Sequence, residues 1–163
     1  VVQHGVVYDP VRDELFTASR GNGAYLNDRR IRISNRGGLP GALIASGFPW
    51  RQRKRLKTQL KMLSSLLEEA EDLRRGGSAA LDLAYVACGR QDGYFEYGLQ
   101  PWDMAAGALL VREAGGVCID FDGSDNWFES GNIIAGNLKV AAAMVARIKP
   151  LATRKISDGE SQA

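Results

Sequence analysis

A strand, a turn and the start of a helix follow one another in the stretch Tyr94-Phe95-Glu96-Tyr97-Gly98-Leu99-Gln100-Pro101-Trp102-Asp103-Met104-Ala105-Ala106-Gly107. Aromatic residues are typical of a buried strand, which we predict at residues 94–97. Pro101 suits a helix start, because a helix leaves its first N–H groups unpaired and proline has none. We predict that this helix runs from residue 102 to about residue 114, where Gly115-Gly116 ends it.

Two carboxylates, those of Glu96 and Asp103, fall on either side of the turn. Ligands of α/β folds collect in the crevice beyond the strand ends, so both are candidate site residues. The residues alone leave two roles open for Asp103, a cap of the helix N-terminus or a ligand for a hard cation. The chain has one histidine and two cysteines, so a Cys/His zinc site is excluded, and any metal must be held by oxygen atoms, as Mg²⁺ is.

Strands alternate with helices on both sides of this stretch. We predict strands at residues 42–45, 117–120 and 132–135, and helices at residues 78–88 and 138–148, with Ser78 and Asn137 as N-caps. A further helix is predicted from apolar residues at spacings of four and three, which should form one packed face: Leu56, Leu60, Leu63, Leu67 and Ala70. This alternation predicts an α/β fold with helices packed on a sheet.

Short antiparallel strands are predicted near the start of the chain, at residues 5–8, 14–18, 24–26 and 31–33. Turns separate them at Asp9-Pro10-Val11-Arg12-Asp13 and at Gly21-Asn22-Gly23. Such a β-meander needs a covering layer. We therefore divide the chain into the last antiparallel strands of an N-terminal sheet (residues 1–36), a C-terminal α/β domain (residues 37–152) and a disordered tail (residues 153–163).

The overall charge and composition are those of an ordinary globular protein. There are 21 Lys+Arg against 19 Asp+Glu, a net charge of +2 that gives no case for nucleic-acid or membrane binding. No apolar run approaches the roughly 18 residues of a membrane span. Cys88 and Cys118 lie in apolar stretches, which favours reduced, buried thiols in a cytoplasmic protein. The first residue is Val1 rather than Met, so we interpret the chain as a fragment.

The stretch Leu73-Arg74-Arg75-Gly76-Gly77-Ser78-Ala79 runs through two glycines into the predicted helix start at Ser78. Free N–H groups and the positive end of a helix dipole attract anions, and an arginine beside such a loop can bind phosphate. The alternative is a surface arginine pair followed by an ordinary capped helix. Because this loop and Asp103 both follow strands at helix starts, we expect them at one sheet edge. Mg²⁺ could hold a phosphate between them there.

Several of these motifs together resemble a known family. Gly77-Ser78-Ala79-Ala80, Pro101-Trp102-Asp103-Met104-Ala105-Ala106-Gly107 and Glu113-Ala114-Gly115-Gly116 are similar to the C-terminal part of the inositol monophosphatase family, most closely to its bacterial SuhB-type branch. The match extends through the turn Arg20-Gly21-Asn22-Gly23-Ala24. The resemblance implies part of a layered α/β/α/β/α sandwich, usually a homodimer, that hydrolyses phosphate monoesters with Mg²⁺. The typical substrate is inositol monophosphate.

The resemblance also implies which residues lie on the substrate side: Arg74, Gly77, Ser78, Ala79, Glu96 and Asp103. Among them, Asp103 matches a catalytic metal ligand that also contacts the substrate, and Glu96 matches a residue that contacts a substrate hydroxyl. The three residues Gly77-Ser78-Ala79 match substrate-side backbone. Arg75 is interpreted as a neighbouring surface charge.

Two acidic metal-binding motifs of the family, one rich in Glu and one of the form Asp-Pro-x-Asp-Gly-Thr, have no match in this chain. The segment Asp9-Pro10-Val11-Arg12-Asp13 has a different spacing and no Gly-Thr after it, so we interpret it as a hairpin turn. We therefore expect the full-length protein to be a phosphatase and these 163 residues alone to be inactive.

Alternatives from other classes stay open. Basic residues cluster at the start of the long helix: Arg51, Arg53, Lys54, Arg55, Lys57 and Lys61. They indicate either a solvated helix or a patch that binds RNA or an acidic protein. Because the SuhB-type branch is associated with transcription antitermination, a scaffold protein bound to RNA or to a transcription-elongation partner is one alternative.

Within the enzyme class, the rivals are related sugar and nucleotide phosphatases, which act on fructose bisphosphate or adenosine 3′,5′-bisphosphate. Glu96 favours a polyol substrate, since a carboxylate accepts hydrogen bonds from hydroxyl groups and would repel a second phosphate.

Overall fold

The structure is a computed structural model, and it describes residues 1–48 and 53–152. The predicted tail at residues 153–163 lies outside the described residues, as does Arg51 of the basic cluster. The division of the chain at residue 36 stays a prediction.

The first sheet is an antiparallel meander of four strands in the order β1-β2-β3-β4. Its strands are β1 (His4–Asp9), β2 (Glu14–Ser19), β3 (Gly23–Leu26) and β4 (Arg29–Arg30). The predicted hairpin turn between β1 and β2 is confirmed. Asp9 stabilises it, because its Oδ1 accepts hydrogen bonds from the N–H groups of Val11 and Arg12 at 3.0 and 3.2 Å.

The fourth strand was predicted two residues too late, at residues 31–33. Ile31 still donates a backbone hydrogen bond to the carbonyl of Ala24 at 2.9 Å, but Ile33 donates instead to Ala114, at 3.2 Å. The chain therefore leaves the first sheet here and runs to the end of a helix, which no local pattern in the sequence indicates.

The second sheet has five short strands in the order β6-β5-β7-β9-β8. They are β5 (Leu43–Ser46), β6 (Asp72–Arg74), β7 (Gly93–Glu96), β8 (Val117–Ile119) and β9 (Ile133–Gly136). β5 runs parallel to both β6 and β7, while β9 is antiparallel to β7 and β8. Every residue of β9 is buried, as expected for a strand covered on both faces.

The helices are α1 (Leu56–Leu67), α2 (Ala79–Ala87), α3 (Pro101–Glu113), the short α4 (Trp127–Ser130) and α5 (Leu138–Ala152). Of these, α4 was not predicted. The predicted N-caps are confirmed, since Ser78 Oγ accepts from the N–H of Leu81 and Asn137 Oδ1 accepts from the N–H of Val140.

Alternating residues of the second sheet divide the core into two clusters. Ala45, Tyr94 and Ile133 pack with α2, α3 and the first sheet, while their neighbours Ile44, Phe95 and Ile134 pack with α1 and α5. The layers are therefore sheet, helices, sheet, helices, which is the arrangement predicted for part of an α/β/α/β/α sandwich. Both cysteines are free thiols, and Cys118 is buried as predicted, whereas Cys88 is only half-buried.

The predicted apolar face of α1 is wrong at three of its five residues, while Leu63 is buried and Ala70 packs against the core. Leu56, Leu60 and Leu67 are 41%, 50% and 47% exposed, and the buried residues of the helix are Gln59, Met62, Leu63 and Leu66. Gln59 accounts for the rotation, because its Nε2 donates buried hydrogen bonds to Ser46 Oγ at 2.8 Å and to the carbonyl of Gly47 at 3.0 Å. A buried polar group needs such partners, and the end of β5 supplies them to the Gln59 amide nitrogen.

None of the helices within residues 1–48 and 53–152 has the length and apolar character that crossing a membrane requires.

Candidate active site

The carboxyl ends of three neighbouring strands form the edge at which the candidate site lies. Ala45 of β5 is in register with Arg74 of β6, and Ser46 of β5 with Phe95 of β7, in parallel pairing. The segments that leave these strands therefore emerge at one edge. The prediction that the glycine loop and the segment before Asp103 lie at the same edge is confirmed, and this is where ligands of α/β folds bind.

The glycine loop connects β6 to α2 through Gly76 and Gly77. Gly77 has φ +95°, a conformation that favours glycine. A Cβ on Gly76 would come within 2.5 Å of Asp82 Oδ1, so the loop backbone lies directly on that side chain. The positive φ favours glycine at position 77, and the contact with Asp82 favours it at position 76. The loop backbone leads directly into the N-terminus of α2.

Asp82 is a buried carboxylate that the sequence analysis did not select. Burial raises its pKa to about 6, against which the Gln91 amide and the positive charge of Arg75 act in the opposite direction. The Gln91 contact is long, with Nε2 to Oδ1 at 3.5 Å. The sequence feature that could have indicated a buried carboxylate is the position of Asp82 between two apolar residues, Leu81 and Leu83.

Glu96 ends β7, and its carboxylate lies between Tyr94 and Gly47. The Tyr94 hydroxyl donates a hydrogen bond to Glu96 Oε2. A Cβ on Gly47 would lie 2.1 Å from that same oxygen, so the carboxylate rests on the glycine backbone. Burial raises the pKa of Glu96, while the Tyr94 hydrogen bond and the charge of Arg75 lower it.

Asp103 lies in the first turn of α3, half-buried. Its Oδ2 accepts a hydrogen bond from the backbone N–H of Gln100 at 2.9 Å, so the structure realises the capping role. A carboxylate has two oxygens, and Oδ1 lies outside this hydrogen bond. Capping and metal binding are therefore compatible for this residue, and the second role stays a prediction.

The charged groups of the site come from separate elements. The charge of Glu96 on β7 interacts with Asp82 on α2, with Asp103 on α3 and with Arg75 after β6. The two helices can approach because Gly107 has no side chain, since a Cβ there would lie 2.6 Å from Leu83 Cβ. Tight packing of α2 on α3 thus brings the glycine loop and the carboxylates together.

The two arginines of the loop point to different places. Arg74 forms an ion pair with Asp72 of its own strand. The guanidinium of Arg75 lies over the Phe48 ring, 6.0 Å from its centroid, and its charge interacts with Asp82 and Glu96. Arg74 is the last residue of β6 and Arg75 lies outside the strand, and the sequence alone did not show which of the two charges acts on the carboxylates.

The residues supply only part of a metal site. Across residues 1–48 and 53–152, no group of three or more His, Cys, Asp or Glu side chains is arranged to hold a metal ion. Asp103 offers one hard oxygen ligand of the kind that Mg²⁺ binds. This part of the chain therefore does not by itself fit a resident Mg²⁺, and further ligands are required.

Comparison with known proteins agrees with this architecture. The model of the inositol monophosphatase family matches residues 1–152, and the chain belongs to that family. It is 53% identical over 146 residues to the Nus factor SuhB of Haemophilus influenzae, covering 90% of this chain and 55% of that protein. The chain spans about half the length of the curated relatives it matches.

Two solved structures have the same fold. The extragenic suppressor protein SuhB of Bartonella henselae is 49% identical with a TM-score of 0.87, and the match covers 90% of this chain and 56% of that one. The inositol monophosphatase of Anabaena is 39% identical with a TM-score of 0.86, over 91% of this chain and 61% of that one. The predicted fold class and the predicted resemblance to the SuhB-type branch are confirmed.

Proposed function

We propose that this chain forms the substrate side of a Mg²⁺-dependent phosphatase that hydrolyses inositol monophosphate. The observation that carries the proposal is the convergence of the glycine loop, Glu96 and Asp103 at one sheet edge. Membership of the inositol monophosphatase family supports it.

Each group has a proposed task in binding. Gly77, Ser78 and Ala79 present backbone at the N-terminus of α2, where N–H groups and the helix dipole favour a phosphate. Glu96 accepts a hydrogen bond from a substrate hydroxyl. Asp103 would contribute one ligand to a Mg²⁺ completed by residues outside this chain, and the chemistry that such an ion would supply is stabilisation of phosphoryl charge and activation of water.

The two arginines are proposed to contribute unequally. The family resemblance assigns Arg74 to the substrate, which requires its guanidinium to leave Asp72. The charge of Arg75 already acts on the carboxylates of Asp82 and Glu96.

The proposed activity belongs to a protein of the relatives' full length, and the 163-residue chain alone is expected to be inactive. A chimera tests this, in which the part of the Haemophilus influenzae relative that this chain does not match is joined to it. We expect Mg²⁺-dependent phosphate release from inositol 1-phosphate, and loss of that release in Asp103→Asn. A chimera that folds but performs no hydrolysis would contradict the proposed function, and turnover by the isolated chain above its own Asp103→Asn variant would contradict its inactivity.

The substrate class is proposed from the charge of the site. Asp82, Glu96 and Asp103 together are unfavourable for a second phosphate on the substrate. We therefore expect the chimera to prefer inositol 1-phosphate over fructose bisphosphate and adenosine 3′,5′-bisphosphate. Faster hydrolysis of either bisphosphate would favour the sugar or nucleotide phosphatase alternative.

A second role, in binding RNA or a transcription-elongation partner, is supported by two observations. The relatives carry the name Nus factor SuhB. The described basic residues at the start of α1 are exposed, while Glu68 and Glu69 at its end pair with Arg147 of α5. The exposed basic residues are Arg53, Lys54, Arg55, Lys57 and Lys61.

Filter binding of RNA over a range of salt concentrations tests the second role. A patch that neutralises several phosphates should give a steep fall of affinity with salt. Charge reversal at Lys54 and Lys61 should flatten that slope, and an equally steep slope in the variant would exclude this surface.

We further propose that the full-length protein is a cytoplasmic homodimer, as the family resemblance implies. Light scattering on the full-length chimera checks the mass.

A further inference from the structure

The carboxylate of Glu96 is restrained by a hydrogen bond from a fully buried tyrosine. Tyr94 and Glu96 are two residues apart on β7 and therefore lie on the same face of the sheet. The Tyr94 hydroxyl donates to Glu96 Oε2, and the Tyr94 side chain is completely buried. Burial and the nearby negative charges keep the pKa of Tyr94 well above its ordinary value, so the hydroxyl remains a donor.

Gly47 restrains the same carboxylate from a second side. A Cβ at this position would lie 2.1 and 2.2 Å from the two carboxylate oxygens of Glu96, so no other residue fits without moving it. The Gly47 backbone is itself held, because its carbonyl accepts hydrogen bonds from Gln59 Nε2 at 3.0 Å and from Ser46 Oγ at 3.2 Å. The buried Gln59 on α1 thus contributes indirectly to the position of Glu96.

We propose that Tyr94 and Gly47 are positioning residues that orient Glu96 as an acceptor for a polyol hydroxyl and so determine the preference for polyol monophosphates. The inference rests on the function proposed above, and it adds the residues that determine specificity. An acceptor that is already oriented loses little conformational freedom when a substrate hydroxyl binds. Without the tyrosine hydroxyl, the carboxylate keeps only the Gly47 restraint and must bear the charges of Asp82 and Asp103 without that donor.

The binding of two ligands to the 163-residue chain, followed by NMR, tests the proposal. The ligands are myo-inositol 1-phosphate and propyl phosphate, which has a phosphate but no ring hydroxyls. We expect the wild-type chain to bind the inositol compound more tightly. Tyr94→Phe should reduce this preference about tenfold and leave the affinity for propyl phosphate unchanged, since a hydrogen bond to a charged group is lost.

Matched controls separate positioning from a general loss of structure. Tyr97→Phe removes a hydroxyl from the same segment, but the Tyr97 ring lies 5.2 Å from the Arg55 guanidinium rather than on Glu96, so its preference should be unchanged. Gly47→Ala should lower the preference for the inositol compound at least as much as Tyr94→Phe. It serves as the test variant if Tyr94→Phe does not fold. The hydroxyl proton of Tyr94 should give a slowly exchanging resonance that Glu96→Gln shifts.

The outcomes distinguish the two proposals. If the wild-type chain prefers the inositol compound, but folded Tyr94→Phe and Gly47→Ala keep that preference, the positioning role is wrong and the proposed substrate class stands. If the wild-type chain shows no preference, the proposed substrate class is wrong, and the inference is overturned with it.

Discussion

The carboxylate of Glu113, the last residue of α3, accepts a hydrogen bond from the backbone N–H of Gly23 at 2.8 Å. Its other oxygen accepts from Gly21 at 2.9 Å. Both glycines have positive φ, at +79° for Gly21 and +90° for Gly23, so the turn depends on them. One side chain therefore joins the first sheet to the helix that carries Asp103, and it connects two of the motifs on which the family resemblance rests.

Replacing Glu113 should loosen this connection. Glu113→Gln replaces one of the two acceptor oxygens by an NH₂ group, which is a donor and would face a backbone N–H that is also a donor. We therefore expect the free energy of unfolding to fall by about 1–2 kcal/mol. Urea unfolding measures it. Glu129→Gln, at an exposed carboxylate, is the control and should change stability little. Equal stability of the two variants would mean that the turn does not depend on Glu113.

A methyl group at position 107 should separate α2 from α3. A Cβ there would lie 2.6 Å from Leu83 Cβ, so we expect Gly107→Ala to destabilise the chain by about 1–3 kcal/mol. Gly37→Ala is the matched control, since nothing lies within 4 Å of a Cβ at that position. Thermal unfolding compares the two. If Gly107→Ala is as stable as Gly37→Ala, the close approach of α2 and α3 does not contribute to stability.

Ionisation of Asp82 should oppose folding. Its pKa is about 6 in the folded chain against an ordinary 3.8, so between these values the folded state holds a proton that the unfolded state has released. Stability attributable to this group therefore falls as pH rises from about 4 to about 6 and stays low above that. Asp82→Asn removes the effect, so its stability relative to the wild type should rise by about 3 kcal/mol between pH 4 and pH 7.

Urea unfolding at several pH values measures this difference. Asp122→Asn is the control with the opposite sign, because the side-chain and backbone hydrogen bonds from Ser124 lower the pKa of Asp122. The stabilisation that this group adds is present above its ordinary pKa and is lost as pH falls. A constant difference between Asp82→Asn and the wild type across the range would refute the raised pKa.

Neutralising Arg75 should weaken anion binding more than neutralising Arg74. The charge of Arg75 acts on the Glu96 carboxylate, whereas Arg74 is paired with Asp72. We expect Arg75→Gln to reduce the affinity of the chain for inorganic phosphate about tenfold and Arg74→Gln to reduce it less. NMR titration of the two variants measures both affinities. A larger effect of Arg74→Gln would favour the assignment that the family resemblance implies.

Most of the secondary structure followed from local patterns. Pro101 marked the start of α3, Ser78 and Asn137 capped α2 and α5, and the pair Gly115-Gly116 marked the end of α3. These signals depend on backbone groups within a few residues, so they can be recognised without knowing the fold. The family motifs identified Glu96, Asp103 and the glycine loop as candidates for the same reason.

Three features depended on residues far apart in the sequence. The buried face of α1 is set by Gln59, whose amide hydrogen-bonds to Ser46 and Gly47. The choice between Arg74 and Arg75 follows from the pairing of Arg74 with Asp72 and from the action of the Arg75 charge on Asp82 and Glu96. The burial of Asp82 follows from the loop that lies on it.

The sequence by itself determined the α/β class, most of the elements and the family, because periodicity, caps and motifs are local. The tertiary structure alone decided which groups of the stretch from Tyr94 to Gly107 meet the glycine loop. Glu96 is oriented by Tyr94 of its own strand and also by Gly47, which follows β5. Asp103 comes near the glycine loop because Gly107 of α3 packs closely on Leu83 of α2. Burial and charge at a site are sums over all the elements that surround it, so they are defined only once those elements have packed.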